Sequence, residues 1–297
     1  MTIERPVPNP APSYEDALLR VAAMKRLDDA SILPIAYTTL YDHGHQTDLC
    51  VVLLHGFTNH PGQYRQFAPQ LFERGCNVFI PRLPEHGDRN RMTKRLANLT
   101  ATALLRSASE AVDIAQGLGK RVVVLGISTS GLLCAYFAQF RGDVARSIPV
   151  NPVFAMLHMR RGVNNAVSRV LLWLPNFFMW WDPRNRENQL PKSGYPRFAT
   201  HPLAQAIGIG EIVEAAARTQ PIAARSVVMV TNRRDPAVNN AVTAQVEEAW
   251  RALAPQRVES FAFTTLPVNH DIIDPENPTP RVDIVYPKLL ELIEGTP

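Results

Sequence analysis

A buried strand that passes through a turn of small residues into an apolar helix is the feature that most constrains this chain. Residues 122–127 read V-V-V-L-G-I, a β-branched run typical of a strand buried on both faces. The small residues S-T-S-G follow at 128–131, and an apolar run continues to Ala138. A serine at such a turn has a strained backbone and an exposed hydroxyl. The pattern therefore predicts an α/β chain with Ser128 as a candidate nucleophile.

A second apolar strand lies upstream, at residues 50–54, and ends in His55 and Gly56. An acyl-transfer enzyme needs backbone N–H groups aimed at the oxyanion that forms when a serine attacks a carbonyl. In the α/β-hydrolase arrangement, which this order of strand, turn and helix resembles, one N–H comes from the residue after the nucleophile, here Thr129. The resemblance implies that the other comes from the loop after this strand, at Phe57. His55 itself has a simpler interpretation, because a histidine before a glycine more often stabilises a loop than accepts a proton.

A third strand, beginning at residue 77, runs into L-P-E-H-G at 83–87. Together with G-I-S-T-S at 126–130, this order of motifs resembles the α/β-hydrolase superfamily, in particular its esterase, lipase and monoacylglycerol-lipase-like members. Those proteins have L-P-G-H-G and G-x-S-x-G at the two places, so Glu85 and Ser130 are departures from the pattern. The resemblance covers roughly residues 50 to 140 and, in order and spacing, the C-terminal third.

The resemblance implies a histidine base near the C-terminus, after the nucleophile and the acid in chain order. His270 follows a strand-like run at 258–265 and a short loop, and a helical stretch comes after it. The other histidine well beyond the turn is His201, which falls in an insertion and would need an unusual geometry. We therefore predict His270 as the base.

The acid is expected in the loop after the penultimate strand, where the family has its carboxylate. Residues 226–232 form an apolar run, and Asp235 with a following proline closes the loop behind it. Asp235 is our choice. Asp271 and Asp274, both close to His270 in sequence, stay open as alternatives.

The predicted elements alternate between strands and helices, which indicates a mostly parallel sheet covered on both faces. The fold class is therefore predicted as an α/β-hydrolase fold with a helical lid or cap insertion. Residues 34–45 are expected to form a hairpin at the start of the sheet. Helices are predicted near residues 61–74, 93–118, 130–141, 239–253 and 281–294.

We expect an N-terminal arm and helix at residues 1–30, a core formed by 31–152 and 222–297, and a cap at 153–221. The cap segment is too long for a simple crossover between two strands. An aromatic run at 171–181 within it contains three of the four tryptophans. Most of these side chains are expected to pack the cap onto the core. A few should contact the substrate, and the candidates are Phe177, Trp180 and Trp181.

Composition excludes several classes of protein. The chain has 297 residues, 46% of them hydrophobic and 20% charged, which is the balance of a globular protein. The net charge is +4, but its densest basic cluster has no interleaved aromatic residues, so we expect no nucleic-acid partner. The start of the chain has no apolar signal segment, and no span of eighteen apolar residues occurs. We therefore expect a cytoplasmic protein without membrane insertion; the oligomeric state is left open.

Neither a metal nor a cofactor is expected. His43, His45 and Asp48 lie close together in sequence, but the further ligands of a hydrolytic metal site are missing. The cysteines at 50, 76 and 134 lie in apolar elements, and their odd number favours reduced thiols, with a bridge between the first two left open.

The predicted function is hydrolysis of a carboxylic ester through an acyl-enzyme on Ser128, with a small-molecule or lipid-like ester as substrate. The same three groups could serve a thioesterase, an amidase or a carbon–carbon bond hydrolase, since one fold supports all of these. A catalytically silent binding protein is a further alternative. The complete Ser–Asp–His order argues against silence.

Overall fold

The computed structural model describes residues 3–186 and 191–295. It contains nine strands: β1 Thr39–Tyr41, β2 Thr47–Leu54, β3 Asn77–Ile80, β4 Gly119–Ile127, β5 Arg146–Val150, β6 Phe178–Trp180, β7 Arg197–Ala199, β8 Ser226–Asn232 and β9 Val258–Phe263. Seven of them form one sheet in the order β1-β3-β2-β4-β5-β8-β9. All neighbours in it are parallel except β1 and β3. Strands β6 and β7 form a separate antiparallel ribbon.

Helices cover both faces of the seven-stranded sheet, which confirms the predicted mostly parallel sheet with helices on both faces. The α-helices in the described part of the chain are α1 Tyr14–Lys25, α2 Ala68–Phe72, α3 Ala101–Leu118, α4 Thr129–Phe140, α5 Arg161–Trp173, α6 Thr200–Ala217, α7 Asn240–Leu253 and α8 Val282–Glu294. Short 3₁₀ turns lie at Pro34–Ala36, Pro61–Tyr64, Arg95–Asn98 and Pro255–Arg257.

The alternation of side chains along the central strands divides the interior into two cores. On β2, Val52 and Leu54 face a core shared with α1, α3, α4, α6 and α7. Val51 and Leu53 face the opposite core, which α2 and α8 cover. The carboxyl ends of β2, β4, β5 and β8 therefore meet at one edge of a sheet buried on both faces, where ligands bind in open α/β sheets.

The predicted hairpin over residues 34–45 is wrong. Residues 34–36 form a 3₁₀ turn, and β1 pairs antiparallel with β3, with Thr39 opposite Ile80. Strand β2 pairs on its two sides with β3 and β4. The short connection between β1 and β2 thus carries the chain past β3 instead of returning it to a neighbour.

Two predicted helices begin later than the apolar pattern indicates. The segment near 61–74 contains a 3₁₀ turn followed by the short α2, with Pro69 in its first turn. The segment near 93–118 contains a 3₁₀ turn followed by α3. Helix α3 begins at Ala101 because the Thr100 hydroxyl accepts the N–H of Ala103 at 3.1 Å and caps its first turn.

The segment between β5 and β8 contains α5, the β6–β7 ribbon and α6. Helix α6 packs against α4, and α5 packs against α6. Arg161 of α5 lies 2.7 Å from the Glu214 carboxylate of α6. Burial, with the nearby charge of Glu211, raises the pKa of Glu214 to about 7. The division of the chain into core and cap stays a prediction.

Two of the residues that the sequence analysis considered for a metal site, His43 and Asp48, have other partners in the structure. The His43 ring stacks on Phe72 with centroids 4.0 Å apart, and Asp48 pairs with Lys120 at 2.8 Å.

The three cysteines are buried free thiols. Across residues 3–186 and 191–295, no helix combines the length and the apolar character needed to cross a membrane.

Candidate active site

Ser128 occupies the turn between β4 and α4 with a φ of +63°, a conformation that is strained for any residue other than glycine. Its N–H donates to the Val150 carbonyl at 2.9 Å, which ties the turn to the end of β5. Gly126 permits the close packing beneath, because a Cβ there would lie 2.7 Å from the Ser130 carbonyl oxygen. The strained turn places Ser128 at the N-terminus of α4, where the partial positive charge of the helix favours a developing anion.

The departure from G-x-S-x-G at Ser130 fits the structure. The Ser130 hydroxyl is buried and donates to the His55 carbonyl at 2.5 Å, so it joins α4 to the end of β2. The position that requires a residue without a side chain is Gly131, because a Cβ there would lie 2.9 Å from the Cα of Pro152.

His270 and Asp235 form a hydrogen-bonded pair. The Nδ1 of His270 lies 2.7 Å from the Oδ2 of Asp235, whose side chain is fully buried. The other carboxylate oxygen accepts the N–H groups of Ala237 at 2.7 Å and Val238 at 3.1 Å. A carboxylate partner favours the tautomer with its proton on Nδ1, which leaves Nε2 as the acceptor.

The charge environment of His270 is set mainly by carboxylates. Burial lowers the pKa of its imidazole, but the hydrogen bond and charge of Asp235 and the charge of Asp271 outweigh burial. The net result is a pKa above the usual value of 6.5. Protonated His270 is therefore stabilised, as a base requires while it carries the proton of a nucleophile.

The alternative carboxylates make other bonds. The Oδ2 of Asp271 accepts the Gln63 amide at 2.6 Å, and the Oδ2 of Asp274 accepts the Asn59 amide at 3.0 Å. Among the described residues, neither carboxylate bonds to the ring of His270. The geometry thus favours Asp235 as its partner.

The alternative base, His201, lies at the start of α6. Its ring Nε2 pairs with the Leu174 carbonyl at 2.8 Å. It is absent from the cavity that contains Ser128 and His270, as far as the described residues show.

Two buried asparagines that the sequence analysis missed hold the His270 loop. The Asn151 amide donates to the His270 carbonyl at 2.7 Å, and its oxygen accepts the Asn232 N–H at 2.7 Å. The Asn232 amide donates to the Asn269 carbonyl at 2.7 Å. A sequence signal existed, because each asparagine sits at the carboxyl end of a buried strand, Asn151 just after β5 and Asn232 ending β8.

Ser128 and His270 line one cavity of about 650 Å³. In residues 3–186 and 191–295 no hydrogen bond joins the Ser128 hydroxyl to the His270 ring, so the structure brings the two groups to one cavity without closing the bond. Such bonds often tighten only when substrate is bound. Apolar side chains line much of the remaining wall, among them Phe57, Val153, Met156, Leu203, Val238 and Val268.

The two expected oxyanion donors, Phe57 and Thr129, also line this cavity. As the first residue of α4, Thr129 has no acceptor for its N–H within the helix. Within the described ranges the N–H of Phe57 likewise has no acceptor. Both groups are therefore available to a ligand oxygen.

His55 stabilises the loop that contains Phe57. Its Nε2 accepts the Leu83 N–H at 3.1 Å, so its proton is on Nδ1, which lies 3.1 Å from the Gly56 carbonyl. Burial keeps the pKa of His55 well below its usual value. A neutral, fully bonded histidine has no free nitrogen to act as a base, as the sequence indicated.

Of the three cap residues expected to contact the substrate, Trp181 lines the cavity, whereas Phe177 and Trp180 lie outside its described walls. The Trp181 indole N–H donates to the Thr58 hydroxyl at 2.9 Å. Trp180 instead packs under the guanidinium of Arg186, 5.3 Å from the ring centroid. Trp180 is the last residue of β6 and Trp181 follows it directly. Side chains of successive extended residues point to opposite sides, which separates the two neighbouring tryptophans.

Comparison with known proteins identifies the family. The model of the alpha/beta hydrolase family matches residues 51–283, and this chain therefore belongs to that family. It is 30% identical over 101 residues to the thermostable monoacylglycerol lipase of Bacillus sp. (strain H-257). That match covers 34% of this chain and 39% of the relative, so it spans well under half of that protein's length.

Solved structures show the same fold over most of the chain. One comes from work on LipS and LipT, two metagenome-derived lipolytic enzymes, and covers 89% of this chain and 99% of its own at a TM-score of 0.69 and 18% identity. The monoacylglycerol lipase of Paleococcus ferrophilus covers 86% of this chain and 97% of its own, at a TM-score of 0.65 and 17% identity.

Proposed function

We propose that this protein is a carboxylic ester hydrolase that works through an acyl-enzyme on Ser128. The observation that carries the proposal is that His270, bonded to the buried Asp235, lines the same cavity as the strained Ser128. A serine is a weak nucleophile unless a base takes its proton and a third group orients that base. The names of the similar proteins, which are lipolytic enzymes, support the same chemistry.

The first half of the reaction forms the acyl-enzyme. The Ser128 oxygen attacks the ester carbonyl while the Nε2 of His270 accepts the hydroxyl proton, and Asp235 stabilises the resulting imidazolium. The carbonyl oxygen becomes an oxyanion that accepts the N–H groups of Phe57 and Thr129. Collapse of this intermediate breaks the carbon–oxygen bond of the ester, and His270 returns the proton to the leaving alcohol.

The second half reverses these roles with water as the nucleophile. His270 takes a proton from water, and the hydroxide attacks the acyl carbon on Ser128. The oxyanion forms again in the same place. Its collapse releases the carboxylic acid, and the proton on His270 goes back to the Ser128 oxygen. The chain's own groups balance every proton, so the proposal includes no cofactor.

The apolar part of the cavity supports a small-molecule or lipid-like ester as the substrate. Val153, Met156 and Leu203 offer apolar surface to an acyl or alcohol chain, at about 25 cal/mol for each Å² removed from water. Trp181 closes this space from the ribbon side. The monoacylglycerol lipases among the similar proteins are consistent with this class of substrate.

The proposal is tested with purified protein and a panel of p-nitrophenyl esters of increasing acyl length, set beside matched thioesters and amides. We expect turnover of esters, and Ser128→Ala should remove nearly all of it, because only binding and the oxyanion donors remain. Ser130→Ala is the matched control and should keep substantial activity. Retention of more than about 5% of the wild-type kcat by Ser128→Ala would contradict the assignment, since losing a triad member costs several orders of magnitude. Preference for thioesters or amides would change the substrate class.

A further inference from the structure

One buried amide connects the two loops that carry the proposed oxyanion donor and the proposed base. Gln63 is 1% exposed, and its Oε1 accepts the N–H of Gly56 at 2.8 Å. Its Nε2 donates to the Oδ2 of Asp271 at 2.6 Å. Because the Gly56 N–H can only donate, it fixes the orientation of the amide and leaves the Gln63 NH₂ facing the carboxylate.

Both ends of this connection adjoin groups that take part in the proposed reaction. Gly56 precedes Phe57, whose N–H is the proposed oxyanion donor, and Asp271 follows His270, the proposed base. The connection joins distant parts of the sequence, since Gln63 and Asp271 are 208 residues apart. The connection therefore exists only in the folded protein.

We propose that Gln63 and Asp271 are positioning residues for the hydrolysis, which join the turn that carries the Phe57 N–H to the loop that carries His270. The inference rests on the proposed function, because it assigns these two residues to the same reaction. Neither residue contacts the reacting atoms in the proposed reaction. Gln63 fixes the position of the turn that carries Phe57, and Asp271 acts through its neighbour His270.

Asp271 is held in place by four donors. Its Oδ1 accepts the backbone N–H groups of Ile273 and Asp274, each at 3.1 Å. Its Oδ2 accepts the Gln63 amide and, at 3.3 Å, the amide of Asn59. A carboxylate bonded on both oxygens is fixed in direction, so its charge has a constant position relative to His270.

The carboxylates around His270 come from three segments. Asp235 contributes from the loop after β8, and Asp271 from the His270 loop itself. Asp182 lines the same cavity from the segment after β6. Next to Asp271 lies Asp274, which is 3.4 Å from the Arg65 guanidinium. Against the lowering effect of burial, Asp235 and Asp271 both raise the pKa of His270. Burial is the main cause that raises the pKa of Asp271, and the charge of Asp274 adds to it.

These charges predict the direction in which the pKa of His270 changes when Asp271 is replaced. Removal of the Asp271 charge leaves Asp235 as the stabilising partner of the imidazolium, so the pKa of His270 should fall. The base must be neutral to accept the Ser128 proton, and the acid limb of kcat/KM reports its pKa in the free enzyme. Asp271→Asn should therefore move this limb to lower pH.

Asp271→Asn and Asp274→Asn form a matched pair, because both lie in one loop and both accept the Asn59 amide. We would measure kcat/KM against pH for a p-nitrophenyl ester, read at the isosbestic wavelength of the product. The expected result is an acid limb at lower pH for Asp271→Asn and at the wild-type pH for Asp274→Asn. Coincident limbs in all three proteins, or equal displacement in both variants, would overturn the inference for Asp271.

Gln63→Leu tests whether Gln63 holds the turn that carries Phe57. Its control is Gln66→Leu, because Gln66 lies on the same segment and is exposed. We expect Gln63→Leu to lower kcat by about 10-fold or more with KM within about two-fold, because a misplaced oxyanion donor weakens transition-state stabilisation. An unchanged kcat in a folded Gln63→Leu protein would refute the role of Gln63. If this variant fails to fold, the Asp271 and Asp274 profiles still decide the inference. A Ser128→Ala protein that retains turnover would instead refute the proposed function itself.

Discussion

Asn151→Ala should lower both stability and activity, because one buried side chain satisfies two backbone groups, one at the end of β8 and one in the His270 loop. The Asn151 side chain is fully buried and accepts the Asn232 N–H and donates to the His270 carbonyl, each at 2.7 Å. Each backbone group left unpaired in the interior costs about 1–3 kcal/mol. The variant should therefore lose about 2–6 kcal/mol of unfolding free energy, the lower figure applying if water enters the gap.

The backbone at Asn151 adds a second, separable cost. Its φ is +42°, a region that asparagine tolerates better than alanine and that glycine adopts freely. Asn151→Gly removes the same two hydrogen bonds without this strain. The alanine variant should therefore be less stable than the glycine variant by about 1 kcal/mol.

Urea unfolding followed by tryptophan fluorescence measures the free energy of unfolding of both variants. The kcat of ester hydrolysis reports whether His270 has been displaced. We expect kcat to fall in both variants, since the backbone carbonyl of His270, the proposed base, loses its hydrogen-bond donor. An alanine variant within about 1 kcal/mol of the wild type with an unchanged kcat would show that Asn151 does not hold the His270 loop. A glycine variant less stable than the alanine variant would refute the argument from backbone strain.

Further predictions concern the proposed acid, the predicted cap and the pH dependence. Asp235→Asn should lower kcat by roughly 10⁴-fold because the wrong tautomer of His270 is favoured, and a larger loss from Asp274→Asn would show that the carboxylate was misassigned. Trp181→Ala should change the preference among acyl lengths by about 1–3 kcal/mol per lost contact, while Trp180→Ala should leave kcat/KM ratios across the ester panel unchanged; equal effects would place both rings in the pocket. The kcat/KM of the wild type should rise with pH through a value above 6.5, and a limb below that value would contradict the raised pKa of His270.

The fold followed from the sequence because its main elements have strong local signals. The strand before Ser128 and the helix after it are nearly all apolar, and their order along the chain leaves few topologies for a parallel sheet. The hairpin over residues 34–45 failed for the opposite reason. Strand β1 has three residues, and its partner β3 lies nearly forty residues further along the chain, so no local pattern identifies it.

The residues of the candidate site likewise include some that the sequence predicted and some that it did not. Residue type and chain order indicated Ser128 and His270, because few residues can serve as nucleophile and base. Gln63 and Asn151 were not foreseen, since each acts by joining segments that only folding brings together, 208 residues apart for Gln63 and Asp271 and 119 for Asn151 and His270. Composition could likewise not decide which tryptophan of the cap faces the cavity, because that depends on the side of the ribbon to which each ring points.

Locating a covalent fluorophosphonate adduct tests the central claim most directly. Trypsin cleaves after Arg121 and Arg141, so residues 122–141 form one peptide that contains Ser128, Thr129 and Ser130. Tandem mass spectrometry of this peptide can assign the phosphonate to a single residue. The account predicts the adduct on Ser128 in the wild type and in Ser130→Ala, and none in Ser128→Ala. An adduct on Ser130 or elsewhere, or an enzyme that hydrolyses esters without labelling at Ser128, would contradict it.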